Sequence, residues 1–203
     1  MSTENRPIIF AAVEGIVDEA VACRLISHAG AVPGYVYGKK GKSFLRRGIK
    51  GYNNSAKRAL WFVLVDLDHD ADCAPPLCSD WLPNKAPGLC FRVAVRAVEA
   101  WLLADTERLA KFLGVAPSKM PADPEALDNP KAVMIDLARG SRRRDIREEM
   151  VPRPGSGRRV GPAYASRLIE FASKHWRPDI AGRHAHSLKR AIRCIKQITA
   201  ARL

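Results

Sequence analysis

The stretch "WFVLVDLDHDAD", Trp61 to Asp72, decides how this chain is read. Five unbroken apolar residues have the length and composition of a strand buried on both faces, as strands of a parallel sheet are. Aspartates then follow at every second position, Asp66, Asp68, Asp70 and Asp72. In an open parallel sheet the C-terminal ends of the strands share one edge, and ligands bind in the crevice there.

The flanking sequence supports such a sheet. "PIIFAAVEG" (Pro7 to Gly15) reads as a strand with a tight turn, and "IVDEAVACRLISHAG" follows with helical spacing up to Gly30. "VPGYVYGKKGKS" reads as a short strand and a Gly/Lys loop, and "SFLRRGIKGYNNSAKRA" as a mostly helical crossover into the Trp61 strand. "GLCFRVAVRAVEAWLLAD" begins as a strand and turns helical near Glu99. Strands alternating with helices predict an α/β fold with a mostly parallel sheet of about four strands. From Asp105 onward the pattern is helical, broken by the Pro/Gly/Arg-rich "MVPRPGSGRRVGP". The expected organisation is therefore an α/β core over residues 1–104 and a basic helical part over residues 105–203 packed on it.

Three acidic groups follow candidate strands: Glu14, the Asp66/Asp68 pair and Glu99. Two carboxylates about 4 Å apart repel by roughly 4 kcal/mol at an effective dielectric near 20, so such a cluster needs a cation or must take up protons. Oxygen ligands without a well-placed histidine favour magnesium, manganese or calcium over zinc. An EF-hand is excluded, because that loop needs Gly and Glu where Ala71 and Leu77 stand. Each acid alone also has a plainer reading. Asp70 and Asp72 suit turn or capping positions, Glu14 a helix start, and Glu99 an exposed helix face.

The charge is unevenly spread. The chain of 203 residues has a formal net charge of +13, yet residues 131–203 hold 18 Lys/Arg against 6 Asp/Glu while residues 1–130 hold 16 against 15. A one-sided positive field suits a polyanion such as nucleic acid, and otherwise serves solubility or an acidic protein partner. Candidate phosphate contacts are Lys39, Lys40 and Lys42 in the Gly/Lys loop, and Arg142, Arg143, Arg144, Arg158 and Arg159 in the two arginine-rich stretches. On the last helix Lys189 and Arg190 join them, opposite a stripe of Leu188, Ile192 and Ile195. The loop is not a P-loop, since Val36 stands where that motif needs glycine. Five scattered cysteines and no apolar run of membrane-spanning length lead us to expect a soluble, cytoplasmic protein without membrane partners.

"VEGIVDEA" followed some fifty positions later by "VDLDHD" resembles the TOPRIM domain of topoisomerases, bacterial primases and the overcoming-lysogenization-defect nucleases. "VEAWLLAD", Lys131, "GPAYASRLIEF" and "SLKRAIRCI" extend the likeness along nearly the whole chain, to a bacterial TOPRIM-like family of unknown function associated with ATPases in anti-phage or mobile-element systems. The resemblance implies a four-stranded sheet flanked by helices and a Mg2+ or Mn2+ site. It implies Glu14 as general acid/base, Asp66 and Asp68 as the metal pair, Asp70 as their extension and Glu99 as a further acid. Ile16 and Val17, standing before Asp18 and Glu19, depart from its usual small or acidic helix opening.

The function expected on these grounds is a divalent-metal-dependent nuclease acting on DNA or RNA, with a separate ATPase as partner. The alternatives are a non-catalytic nucleic-acid- or partner-binding subunit with a vestigial metal site, and a nucleotidyl transferase.

Overall fold

A computed structural model describes residues 6–70 and 73–201; Asp72 lies outside them. Four strands form one all-parallel sheet in the order β2-β1-β3-β4, with β1 at Ile8–Val13, β2 at Val32–Gly38, β3 at Leu60–Asp66 and β4 at Leu89–Ala94. The connecting helices are α1 (Ile16–His28), α2 (Lys42–Ser55) and α3 (Ala74–Trp81). This is the α/β arrangement that the alternation of apolar runs predicts. Helix α3 is the element that the sequence pattern does not announce, since Pro75 and Pro76 lie in its first turn, where proline costs no hydrogen bond.

Strand β3 explains its own composition. Leu60, Phe62 and Leu64 enter one apolar cluster with α1 and the C-terminal helices. Trp61, Val63 and Val65 enter the other with Leu45 and Ile49 of α2 and Leu77 and Trp81 of α3. Both faces are covered, so no position along the strand except its acidic end tolerates a polar residue. The chain leaves β1 to one side and β3 to the other, which puts the topological switch point between their C-terminal ends.

Gly38 shapes the edge there. Its φ is +88°, and a Cβ at that position would stand 2.3 Å from the carbonyl oxygen of Val13. Only glycine lets β2 end against β1 while the Lys39 N–H donates to that same oxygen at 2.8 Å.

The rest of the chain is helical: α4 (Val98–Leu103), α5 (Thr106–Leu113), α6 (Pro130–Arg139), α7 (Arg144–Met150), α8 (Tyr164–Lys174), α9 (Pro178–Ala181) and α10 (His186–Ala200). Helix α8 packs along α1 and α10 along β4. One apolar cluster runs from Ile9 through Trp101 and Trp176 to Ile198, so these helices and the sheet share a core. In α10, Leu188 and Ile195 are buried and Ile192 partly so, leaving Lys189, Arg190, Arg193 and Lys196 exposed.

Asp105, between α4 and α5, is tied electrostatically to Arg177 ahead of α9. It is fully buried and accepts from the Arg177 backbone N–H at 2.9 Å and from the guanidinium at 2.6 and 3.2 Å. Asp105→Asn keeps the size and removes the charge-assisted bonds, for which we expect a loss of about 1.5–3 kcal/mol in urea denaturation. A variant as stable as the wild type would show that the pair only offsets its own desolvation.

No described helix is long and apolar enough to cross a membrane.

Candidate active site

Four carboxylates meet at the switch point. Glu14 follows β1, Asp66 ends β3, Asp18 lies in the first turn of α1 and Glu99 in the first turn of α4. The parity of β3 sets the direction of Asp66. It continues the Leu60, Phe62, Leu64 series, so its side chain lies on the face that carries α1 and α4.

Hydrogen bonds hold the group in register. The Asp66 N–H donates to Glu14 Oε1 at 2.9 Å, and Asp66 Oδ1 accepts from the Val98 N–H at 3.0 Å. Asp66 thus caps the first turn of α4, where partial positive charge gathers. Glu99 is 3% exposed; its Oε1 accepts from the Tyr164 hydroxyl at 3.2 Å and lies 3.6 Å from Lys131 Nζ. Asp18 is 7% exposed, and its Oδ1 is buried without a hydrogen-bond partner among the described residues.

The cost of gathering these charges appears in their titration. Burial pushes the Glu14 carboxyl up to about 7, against the pull of the Asp66 N–H and of Lys42. Burial and Glu99 push Asp18 up to about 6, while backbone N–H groups of Asp18 and Gly15 and the charge of Lys131 draw it back. Asp66 is raised well above the usual range by burial and by Asp18, Glu99 and Glu14 around it.

A carboxyl raised in the folded state stabilises the fold below its unfolded value and loses that contribution as pH rises through its folded value. For Asp18 the window runs from 3.8 to about 6. Asp18→Asn mimics the protonated form. In EDTA it is therefore expected to match the wild type near the lower limit and to be more stable by about 2–3 kcal/mol at pH 8. Urea denaturation at the two pH values checks this, and a wild type more stable at pH 8 would mean that Asp18 has a cationic partner.

The other predicted residues sort differently. Asp68 and Asp70 are drawn to the α2 side by Lys42, whose Nζ lies 2.6 Å from Asp68 Oδ2 and 2.8 Å from Asp70 Oδ2. Asp68 has φ of +50°, and its carbonyl accepts from Arg96 at 2.8 Å. Lys42 is thus spent on carboxylates, whereas Lys40 is exposed and Lys39 pairs with Glu19 at 3.1 Å. In the arginine-rich stretches, Arg143 pairs with Asp145 and Arg144 with Glu148, while exposed Arg142, Arg158 and Arg159 form no ion pair among the described residues. Lys189 and Arg190 are exposed on α10, and Arg190 lines a pocket with Arg92, Val95 and Ser187.

The structure therefore brings together Glu14, Asp66 and Glu99 from the predicted metal set and adds Asp18. The sequence signal for Asp18 was its place in the first turn of the helix that follows Glu14; Glu99, which the resemblance named as a further acid, is buried on α4.

As placed, no group of three or more His, Cys, Asp or Glu side chains among the described residues is gathered closely enough to hold a metal ion. The donor chemistry nevertheless fits a hard divalent cation. All donors are oxygen, and Asp18 Oδ1 is an orphaned buried acceptor that a cation would satisfy.

Comparisons with protein families, with curated proteins and with solved structures found no match for this chain.

Proposed function

We propose that this protein is a Mg2+- or Mn2+-dependent nuclease that hydrolyses phosphodiester bonds in DNA or RNA, with a separate ATPase as its partner in anti-phage or mobile-element defence. The observation that carries the reading is the meeting of Glu14, Asp18, Asp66 and Glu99 at the switch point of a parallel sheet, with the carboxyls of Glu14, Asp18 and Asp66 raised by burial and by the acids around them. Strongly perturbed carboxyls in the crevice where open α/β sheets bind their ligands make a candidate functional site. A bound Mg2+ or Mn2+ would draw charge from the phosphate oxygens and lower the pKa of a bound water. Asp66 and Asp18 are the residues to hold it, with Glu99 behind them, and Asp68 once Lys42 releases it.

Glu14 suits the proton. With a carboxyl near 7 it is partly ionised at neutral pH, the condition for an effective general base. Water adds to phosphorus, its proton passes to Glu14, and the ester P–O bond breaks with the electron pair leaving on oxygen. The Asp66 N–H keeps Glu14 Oε1 in place throughout.

A second reading is favoured by one observation. Lys42 already neutralises Asp68 and Asp70, as a retained but inactive site would. On that reading the chain is a binding subunit with a vestigial centre.

Purified protein incubated with plasmid DNA and with total tRNA in Mg2+, Mn2+ or EDTA separates the two. Metal-dependent cutting supports the nuclease. Binding without cutting, in the presence of the partner ATPase as well, overturns it in favour of the binding subunit.

A further inference from the structure

The charge distribution holds a second basic region inside the balanced part of the chain. Residues 20–65 contain 9 Lys/Arg and no Asp or Glu. Eight of the nine, from Lys39 to Arg58, lie on the β2–α2 loop, on α2 and in the turn into β3; β2 is the sheet edge opposite β4, and Arg24 stands apart on α1. Lys40, Arg47, Lys50 and Lys57 are exposed and form no ion pair among the described residues.

An open aromatic cluster lies on the same face. The Tyr37 ring centroid lies 4.7 Å from that of Tyr35, 6.3 Å from that of Tyr52 and 5.3 Å from that of Trp61. Tyr35 is 66% exposed and Tyr37 is 40% exposed, which is unusual for rings on neighbouring positions of one strand face. Cations flank them: Lys39 Nζ stands 6.0 Å from the Tyr35 ring centroid, and Lys40 Nζ 5.3 Å from that of Phe44.

Two local irregularities shape the cluster. The β1–β2 register shifts between Ile9 and Ala11, so that Ile9 pairs with Pro33 and Ala11 with Val36. The extra residue falls at Gly34 and Tyr35, and a bulge of this kind re-aims a side chain. On α2, Gly48 sits beside Tyr52; a Cβ there would come within 3.0 Å of the Tyr52 ring. Glycine inside a helix costs about 1 kcal/mol relative to alanine, and α2 carries both Gly48 and Gly51.

We infer that this face binds single-stranded nucleic acid, its bases stacking on Tyr35 and Tyr37 and its backbone tracking the cations of the β2–α2 loop and α2. Stacking rings beside a positive groove are the recurring device for single strands, because every base has a π-face and only an unpaired base can present it. Charge complementarity favours a polyanion over a protein, and Pro33, Gly34 and the bulge blunt β2 against addition of another strand. The inference rests on the nucleic-acid part of the function proposed above and names its strand class. Tyr37 lies about 7 Å along the strand from Lys39, whose N–H is bonded to the residue before Glu14, so a strand stacked here leads toward the acidic rim.

The test is fluorescence anisotropy in EDTA with a labelled oligothymidylate of about 15 nucleotides and a duplex of equal length. The wild type is expected to bind the single strand more tightly than the duplex. Tyr35→Ala and Tyr37→Ala should each raise its Kd by roughly 5- to 100-fold, with Tyr35→Phe near the wild-type value. Tyr35 is exposed, so its variants remain folded, which a melting curve verifies. Unchanged binding in both alanine variants overturns the inference, as does an equal loss on the duplex. So does a change of oligomeric state on sedimentation with oligonucleotide affinity intact, which would make the face a contact between copies of this chain. Without metal no cleavage enters the measurement. Tyrosine-dependent binding in a protein that cuts nothing supports the inference while ending the nuclease reading. Cleavage with tyrosine-independent binding does the reverse.

Discussion

Glu14→Gln is expected to lower metal-dependent phosphodiester cleavage by about 10²–10⁴-fold, the usual contribution of a positioned acid/base group. The substitution is nearly isosteric, and its amide oxygen can still accept from the Asp66 N–H that the carboxylate holds at 2.9 Å. Glu14→Gln removes a charge that burial disfavours and has raised to about 7, so the variant should be at least as stable as the wild type at pH 8. Asp66→Asn probes a different role. Its oxygen keeps the bond to the Val98 N–H, but the site loses the charge that a cation needs. Cleavage by Asp66→Asn should therefore recover in part at high Mn2+ concentration, whereas Glu14→Gln should not recover. A Glu14→Gln protein that cuts as fast as the wild type would remove the glutamate from the proposed chemistry.

Trp101→Ala is expected to cost about 3–5 kcal/mol, a large part of the 5–15 kcal/mol that holds a typical domain together. Trp101 and Trp176 are both fully buried. The Trp176 Nε1–H donates to the Trp101 carbonyl at 3.2 Å, and the Trp101 Nε1–H donates to Ser187 Oγ at 2.7 Å. Ser187 Oγ also accepts from the Val95 N–H at 3.3 Å, at the end of β4. Removing the indole opens a cavity where α4, α10 and the sheet meet and leaves Ser187 short of a donor. Urea denaturation followed by circular dichroism should show one cooperative transition moved to lower denaturant. Two transitions, with only one moved, would instead divide the chain near residue 104 into units that unfold separately.

The parallel sheet was legible in the sequence because burial on both faces leaves a simple trace. Strand β3 is apolar at every position from Leu60 to Val65 and turns acidic where cover ends. Helix α10 was equally plain, since Leu188 and Ile195 repeat on one face and four basic residues occupy the rest. Helix α3 was not, because two prolines resemble a loop until their place in the first turn is known.

The candidate site was legible in part. Glu14 and Asp66 follow strands whose order cannot be read from spacing, and their meeting depends on β1 and β3 being neighbours. Asp68 and Asp70 share a period with Asp66, yet Lys42 draws them toward α2. Glu99 has the local look of an exposed helix acid; the Tyr164 hydroxyl and the packing of α4 bury it.

Composition and periodicity, then, were enough for the α/β class, the four strands and the acids that end them, because these follow from which faces meet water. Which acids stand together, which are neutralised by lysine, and which tyrosines stay open to solvent depend on contacts between segments far apart in the chain. Such contacts arise from strand order, a bulge at Tyr35 and the close approach at Gly38, none of which leaves a periodic signal.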